Sequence, residues 1–316
     1  MTEIAKRSAL AKQKSWTTRL ANDLRQNWEA YLLVVPALIV FILFCYKPMY
    51  GIIIAFKNYT PGRGILGSKW VGLKHFQSFF SSYYFGRLLR NTLTISLTSI
   101  LFGFPAPIIF ALLLNEVRAQ KFKRVVQTVT YMPHFISLVV ICSLIRMFTA
   151  ENGLIVTILS VFGFEPVSLL SKSQYFVPIY VLSSIWQGFG WDSIIYLSAL
   201  TAIDPGLYEA ATIDGANRWK QTLHVTLPGI SQTIIILLIL RMGSIMSVGY
   251  EKIILLYNPG IYETSDVIST FVYRKGLEDF QWSYSTAVGV FNSVVNFLVV
   301  FLFNRLSRKV SDVSLW

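Results

Sequence analysis

The sequence predicts an all-α fold, a polytopic membrane helix bundle with six transmembrane helices. Three observations carry that expectation. Of the 316 residues, 54% are hydrophobic and only 14% charged, against about 25% charged in a soluble domain. The mean hydropathy is +0.54. The apolar residues also fall in separate blocks, each close to the ~20 residues a helix needs to cross a bilayer. Disorder, a collagen-like fibre and a small disulfide scaffold are excluded on composition alone.

Six blocks read as spans, over residues 30–46, 92–114, 125–145, 176–200, 229–250 and 282–303. They divide the chain into an N-terminal arm (1–29), a six-helix domain (30–303) and a C-terminal tail (304–316). In the arm, Trp16, Leu20, Leu24 and Trp28 recur every four residues among six Lys or Arg, the pattern of an amphipathic helix lying on the membrane. The first apolar block is followed by Lys47-Pro48-Met49-Tyr50 rather than a small-x-small cleavage site, so it reads as retained. Prolines at 36, 105, 107, 133 and 178 each free a backbone carbonyl, which neighbouring helices can satisfy. Residues 53–56 and 154–164 are too short to span and read as interfacial or loop segments.

Charge sets the orientation. The arm, the link between spans two and three (Arg118, Lys121, Lys123, Arg124) and the tail are basic. With six spans these segments share a side, which the preference of Lys and Arg for cytoplasmic loops makes the inside, with both termini there. The stretch from Lys47 to Arg90 opposes this, with seven Lys or Arg and no acid on the outer side. Charges at span ends can snorkel, which weakens that vote. The net charge of +12 needs no nucleic acid, because basic loops account for it.

Several motifs fail. Gly62-Arg63-Gly64-Ile65-Leu66-Gly67 has the glycine spacing of a dinucleotide fingerprint, but Pro61 precedes it and the next acid is Glu116. The chain has no Gly-Lys dipeptide and so no phosphate-binding loop, and His75, His134 and His224 lie far apart. Cys45 and Cys142 sit inside apolar blocks and read as small buried hydrophobes. The expectation is a non-enzyme that binds no metal or cofactor itself.

The segment 203–230, IDPGLYEAATIDGANRWKQTLHVTLPGI, is the informative one. Asp204 is placed to cap a helix with Pro205 in its first turn. Leu207 to Asp214 would form two turns, ended by Gly215 in a left-handed conformation. Asn217 to His224 would form a second short helix, stopped before Leu227-Pro228, so that the pair makes a rigid cytoplasmic knob. Glu209-Ala210-Ala211, then Asp214-Gly215-Ala216, then Leu227-Pro228 resemble the "EAA" loop of permease subunits of bacterial ATP-driven (ABC) importers. WVGLKHFQSFF before span two resembles the carbohydrate branch, near the maltose-type and complex-oligosaccharide permeases.

That resemblance implies a coupling role for the loop, about 203–228. It would dock into a groove on a cytoplasmic ATPase, Glu209 pairing with a cation there, Ala210 and Ala211 allowing close approach, and Gly215 setting the angle between the helices. It also implies the partners: a second homologous permease, a homodimeric ATPase that holds the ATP and Mg, an extracellular sugar-binding protein or lipoprotein, and an oligosaccharide substrate. Thr222 and Val225 depart from the family's usual Phe and Ile.

Polar faces suggest where a sugar passes. On span four Tyr180, Ser183, Ser184, Gln187, Trp191 and Ile194 fall within about a 100° arc, mixing aromatic, hydroxyl and amide groups as sugar sites do. On span six Ser285, Gly289, Asn292 and Asn296 share a face. Either face could instead pack on a partner helix. Arg241 lies near the middle of span five, where lipid exposure costs about 2.5–3.5 kcal/mol, and Asp192 on span four is a possible ion-pair partner. Arg146 is expected to snorkel. The outer cations Lys57, Arg63, Lys69 and Lys74 suit an acidic oligosaccharide such as a uronide, or anionic lipid headgroups. The competing classes are a stand-alone ion-coupled secondary transporter, which predicts paired intramembrane acids, and a membrane enzyme, which predicts clustered nucleophile, base or metal ligands.

Overall fold

The computed structural model describes residues 22–311. The first span is α1 (Trp28–Phe56), and none of its apolar window is buried against the rest of the chain. Its surface is therefore left for lipid or another subunit. A short antiparallel pair, β1 (Lys57–Asn58) and β2 (Lys69–Trp70), closes the glycine loop, in which Ser68 Oγ donates to the Gly64 carbonyl at 2.6 Å. The chain continues through α2 (Lys74–Phe80), α3 (Tyr84–Glu116), α4 (Gln120–Tyr131), α5 (Leu138–Thr149) and α6 (Leu154–Val161). It is completed by α7 (Ser173–Thr201), α8 (Pro205–Ile213), α9 (Arg218–Met242), α10 (Tyr250–Leu256), α11 (Ile268–Tyr273) and α12 (Trp282–Ser311).

Three helices carry a widened π turn just ahead of a proline. The turns are Ile42–Tyr46 before Pro48, Ser99–Gly103 before Pro105, and Thr222–Thr226 before Pro228. A proline ring collides with the carbonyl four residues earlier and cannot bond to it. Those carbonyls belong to Phe44, Leu101 and His224, each inside its π turn. Widening makes room for the ring and lets the helix continue.

The structure corrects several boundaries. The third span does not run over 125–145, because Pro133 ends α4 in a short 3-10 turn, Met132–Phe135. The stretch long and apolar enough to cross lies later, at Leu138–Val161, and is interrupted at 150–153, so that residues 154–161 form a separate helix, α6. Residues 53–56 belong to the end of α1. The fifth span stops at Met242 rather than 250, and the second begins at Tyr84 rather than 92. Leu227-Pro228 does not stop the second helix of the loop; it runs on into the fifth span as α9. Among the described residues five helices are long and apolar enough to cross a membrane, and α7 is not one of them. Gln187, Trp191, Asp192 and a series of serines lower its hydropathy. Arg25 apart, the cations of the N-terminal arm, with Trp16 and Leu20, lie outside the described residues.

Polarity in α7 fits its position, for among the described residues it makes the most extensive contact, against the C-terminal half of α3, and packs also on α4, α9 and the segment 262–265. Gly190 marks a tight approach: a Cβ there would lie 2.3 Å from the Thr130 carbonyl oxygen of α4. One residue on, Trp191 stacks on His134 with centroids 4.5 Å apart. Elsewhere, the fully buried Asp266 accepts from Arg274 at 2.7 Å and lies 3.5 Å from Arg87, joining the 257–280 segment to α3. Cys142 is buried as expected, whereas Cys45 on α1 is exposed.

Candidate functional site

The loop 203–228 folds as a two-helix knob. Asp204 caps α8, accepting from the Gly206 N–H at 2.9 Å. At the other end the Gly215 N–H donates to Thr212 and the Ala216 N–H to Ala211, at 3.0 and 2.9 Å. This pair of bonds is the Schellman closure, which needs a left-handed residue between them, and Gly215 supplies it with φ +74°. Asn217 then caps α9 by accepting from the Lys220 N–H at 2.9 Å.

Cross-links stiffen the knob. Gln221 Nε2 donates to Thr212 Oγ1 at 3.0 Å and to the Ala216 carbonyl at 3.1 Å, and the Tyr208 and Thr226 hydroxyls pair at 3.1 Å. Arg218 forms a 2.6 Å ion pair with Glu116 at the C-terminal end of α3. Because α9 runs unbroken from the knob into the fifth span, displacement of one displaces the other.

Glu209, Ala210, Asp214 and Gly215 are exposed, Ala211 and Ala216 half-buried. Leu227 is half-buried and Pro228 exposed at the base of the knob. Leu207, Ile213 and Trp219 of the same two helices are also exposed, by 53%, 86% and 70%, apolar side chains that the motif itself did not mark. An unsatisfied apolar helix end next to the Gly215 turn was the available signal in the sequence.

A second feature lies where the fifth span breaks. Between α9 and α10 the backbone over 243–249 is irregular, a conformation tolerated at membrane depth only against protein or a water-filled cavity. Asn296 of α12 holds this break: its Oδ1 accepts from the Met246 N–H at 2.9 Å and its Nδ2 donates to Ser247 Oγ at 2.8 Å. From α3, Ser96 Oγ donates to the Ile245 carbonyl. Beside the break is a cavity of about 320 Å³ lined by the polar Ser96, Ser99, Tyr180, Arg241, Ser244 and Ser247, together with Ile100, Ile245, Val248 and Gly249. Ser99 Oγ is buried there without a hydrogen-bond partner.

Arg241 is exposed on the single chain, and the ion pairs among the described residues do not include it. The Asp192–Arg241 pair is therefore not formed, although the two are close enough for their charges to interact. Asp192 sits one turn beyond Gly188 on α7. Arg146 donates to the Tyr257 carbonyl at 3.4 Å.

The expected pathway residues therefore separate. Tyr180 lines the cavity, and Ser184 lies next to it, donating to the Tyr180 carbonyl at 2.7 Å. Gln187 is half-buried further along the same helix. Trp191 is engaged with His134 and Phe135 and braces α7 against the Pro133 turn. Asn296 supports the break, and Asn292 is half-buried with an unpaired Oδ1. Ser285 packs on Gly276, and Gly289 borders a separate groove with Ile52 of α1. Sequence reasoning missed Ser96, Ser99, Ser244 and Ser247. Gly243 and Gly249, bracketing two serines, were the signal that the fifth span would break.

Comparison with known proteins bears on both features. Residues 103–312 match the family described as binding-protein-dependent transport system inner membrane component. A polygalacturonan/rhamnogalacturonan transport system permease of Bacillus subtilis, YteP, is 46% identical over 96% of this chain and 95% of its own. Protein LplB of the same organism is 43% identical over 96% and 94%. A crystal structure of a bacterial ABC transporter involved in the import of the acidic polysaccharide alginate superposes with a TM-score of 0.86 at 44% identity, covering 93% of this chain and 99% of that one. A related structure, of the alginate transporter in complex with an alginate pentasaccharide-bound periplasmic protein, also gives 0.86, at 43% identity over 94% and 100%. This chain belongs to the inner-membrane components of binding-protein-dependent transport systems: it is a multi-pass, non-catalytic permease subunit of an ABC transporter, and ATP hydrolysis resides in a separate chain.

Proposed function

We propose that the chain is one of two permeases of an importer for acidic oligosaccharides, built of uronate units, with both termini in the cytoplasm. It forms half of the pathway, the other half coming from a second, homologous permease against which the exposed face of α1 and the open side of the cavity would lie. An extracellular sugar-binding protein delivers the substrate. The knob around Glu209 and Gly215 docks on a homodimeric ATPase that holds ATP and Mg, and α9 carries its displacement to the break at 243–249.

The observation that carries the substrate class is Arg241, an exposed cation in the fifth span, unpaired and facing a hydroxyl-lined cavity. A guanidinium in hydrocarbon is costly and belongs in a polar cavity; there it offers a planar fork that matches a carboxylate. The names of the relatives, which concern polygalacturonan, rhamnogalacturonan and alginate, agree with that chemistry. The outer cations between Lys47 and Arg90 add a field that attracts anionic substrates. A stand-alone ion-coupled transporter would need paired intramembrane acids, and the described spans offer Asp192 alone near the cavity.

The assembled transporter in liposomes should import a galacturonate trimer at least tenfold faster than a neutral trisaccharide. Arg241→Met should lower the acidic uptake about tenfold, the scale of one charge-assisted contact. Equal uptake of acidic and neutral sugars by the wild type would overturn the substrate class.

A further inference from the structure

Behind the cavity wall lies a second cation. Lys252, on α10, is 5% exposed. Its Nζ donates to Ser184 Oγ at 2.8 Å and stands 5.3 Å from the centroid of the Tyr180 ring. Among the described residues no carboxylate comes within ion-pair distance of it. The Cys142 thiol also acts on it and carries no charge to offer. A buried ammonium with one hydroxyl acceptor and one aromatic face is poorly compensated. A methionine would fill the same space without that cost. The charge calls for a counter-charge from outside the chain.

Geometry says where that counter-charge would stand. Tyr180 is the partition between the two cations. One side of its ring lies under Lys252, and its hydroxyl reaches the Gly249 backbone at the edge of the cavity that Arg241 lines. Ser184, the hydrogen-bond partner of Lys252, is anchored to the Tyr180 carbonyl. The charged groups acting at this part of the bundle are Arg241 and Lys252, with Arg146 acting on Cys142 and Asp192 the acid on which Arg241 acts. The wall formed by Tyr180 and Ser184 is backed by uncompensated positive charge.

We propose that Lys252 determines specificity: from behind Tyr180 it favours the passage of carboxylate-bearing sugar units and disfavours neutral ones, through the field it sets at the wall. This rests on the acidic-oligosaccharide reading above. Lys252 is a positioning and selectivity residue in that account, since it reaches the cavity through Tyr180 and Ser184.

The test uses the full assembly in liposomes, with trigalacturonate and its fully methyl-esterified, neutral form as probes. Wild type should favour the acid at least tenfold. Lys252→Met should narrow that preference roughly tenfold, the effect of one unit charge across a thin protein layer, while ester uptake changes less than twofold. Lys252→Arg should keep the preference. If wild type imports no measurable ester, a tenfold loss of acid uptake in Lys252→Met with unchanged binding-protein-stimulated ATP hydrolysis supports the proposal. An unchanged preference in Lys252→Met overturns it, and so does an equal loss for both probes or a failure of that variant to assemble that arginine does not rescue. Equal import of both probes by the wild type would instead sink the acidic-substrate reading on which the proposal stands.

Discussion

Replacing Glu209 with lysine is expected to abolish uptake and the stimulation of ATP hydrolysis by loaded binding protein, with the subunit still inserted in the membrane. The expectation follows from where Glu209 lies. It is exposed on α8, one turn from the exposed Ile213, and none of the ion pairs among the described residues employs it. Its loss therefore costs the isolated fold little; surface substitutions of this kind stay within about ±0.5 kcal/mol. At a docked interface the same change replaces an attraction with a like-charge contact, which costs several kcal/mol. The measurement is paired: level of the assembled complex in membranes, and sugar-stimulated ATPase activity. Retained transport would exclude the coupling role of this face. Ile213→Ala and Trp219→Ala should weaken coupling in the same direction, as anchors of one docking surface.

The second large effect is structural, at a close helix crossing. Gly190→Ala places a carbon 2.3 Å from the Thr130 backbone oxygen, and backbone on both sides cannot yield without moving α7 away from α4. Overpacking of this sort costs typically 1–3 kcal/mol, and more where backbone must shift. The separation would also pull Trp191 off His134 and weaken the brace at the Pro133 turn. We expect a clear drop in the thermal midpoint and yield of the purified complex. Gly188→Ala is the control on the same helix: its nearest added contact is Asp192 Oδ2 at 3.5 Å, an ordinary distance. Equal behaviour of the two variants would show that the crossing at Gly190 does not limit stability.

How much of this could be read from residues alone varied with the physics involved. The capping signals of the knob are local, and Asp204, Pro205, Gly215 and Asn217 take the parts their side chains and backbone freedom dictate. The continuation of the second knob helix into the fifth span was not legible, because Pro228 reads as a stop unless the preceding turn widens. The same blindness shifted the third span: Pro133 does end a helix, and apolar residues on both sides made one block of two. The wheel on α7 put Tyr180 and Ser184 on one face, and the structure sets them together at the cavity, but it could not say that Trp191 would stack on His134, which depends on packing with α4. Nor could a wheel say that Asn296 would bond to the backbone of the broken span. Arg241 stood out by its cost in a bilayer, while Lys252, at the edge of the expected fifth span, did not, since its burial arises only when α10 turns back against α5 and α7.

The account reduces to a division of labour: this chain supplies a path and a lever, and another chain supplies the energy. The direct measurement is accumulation of labelled trigalacturonate in liposomes holding this chain alone, or holding it with the second permease, the ATPase and the binding protein. Uptake is predicted only in the complete assembly with ATP present, and an ion gradient should neither replace ATP nor drive the lone chain. Accumulation by the lone chain, with no nucleotide hydrolase in the vesicle, would contradict it.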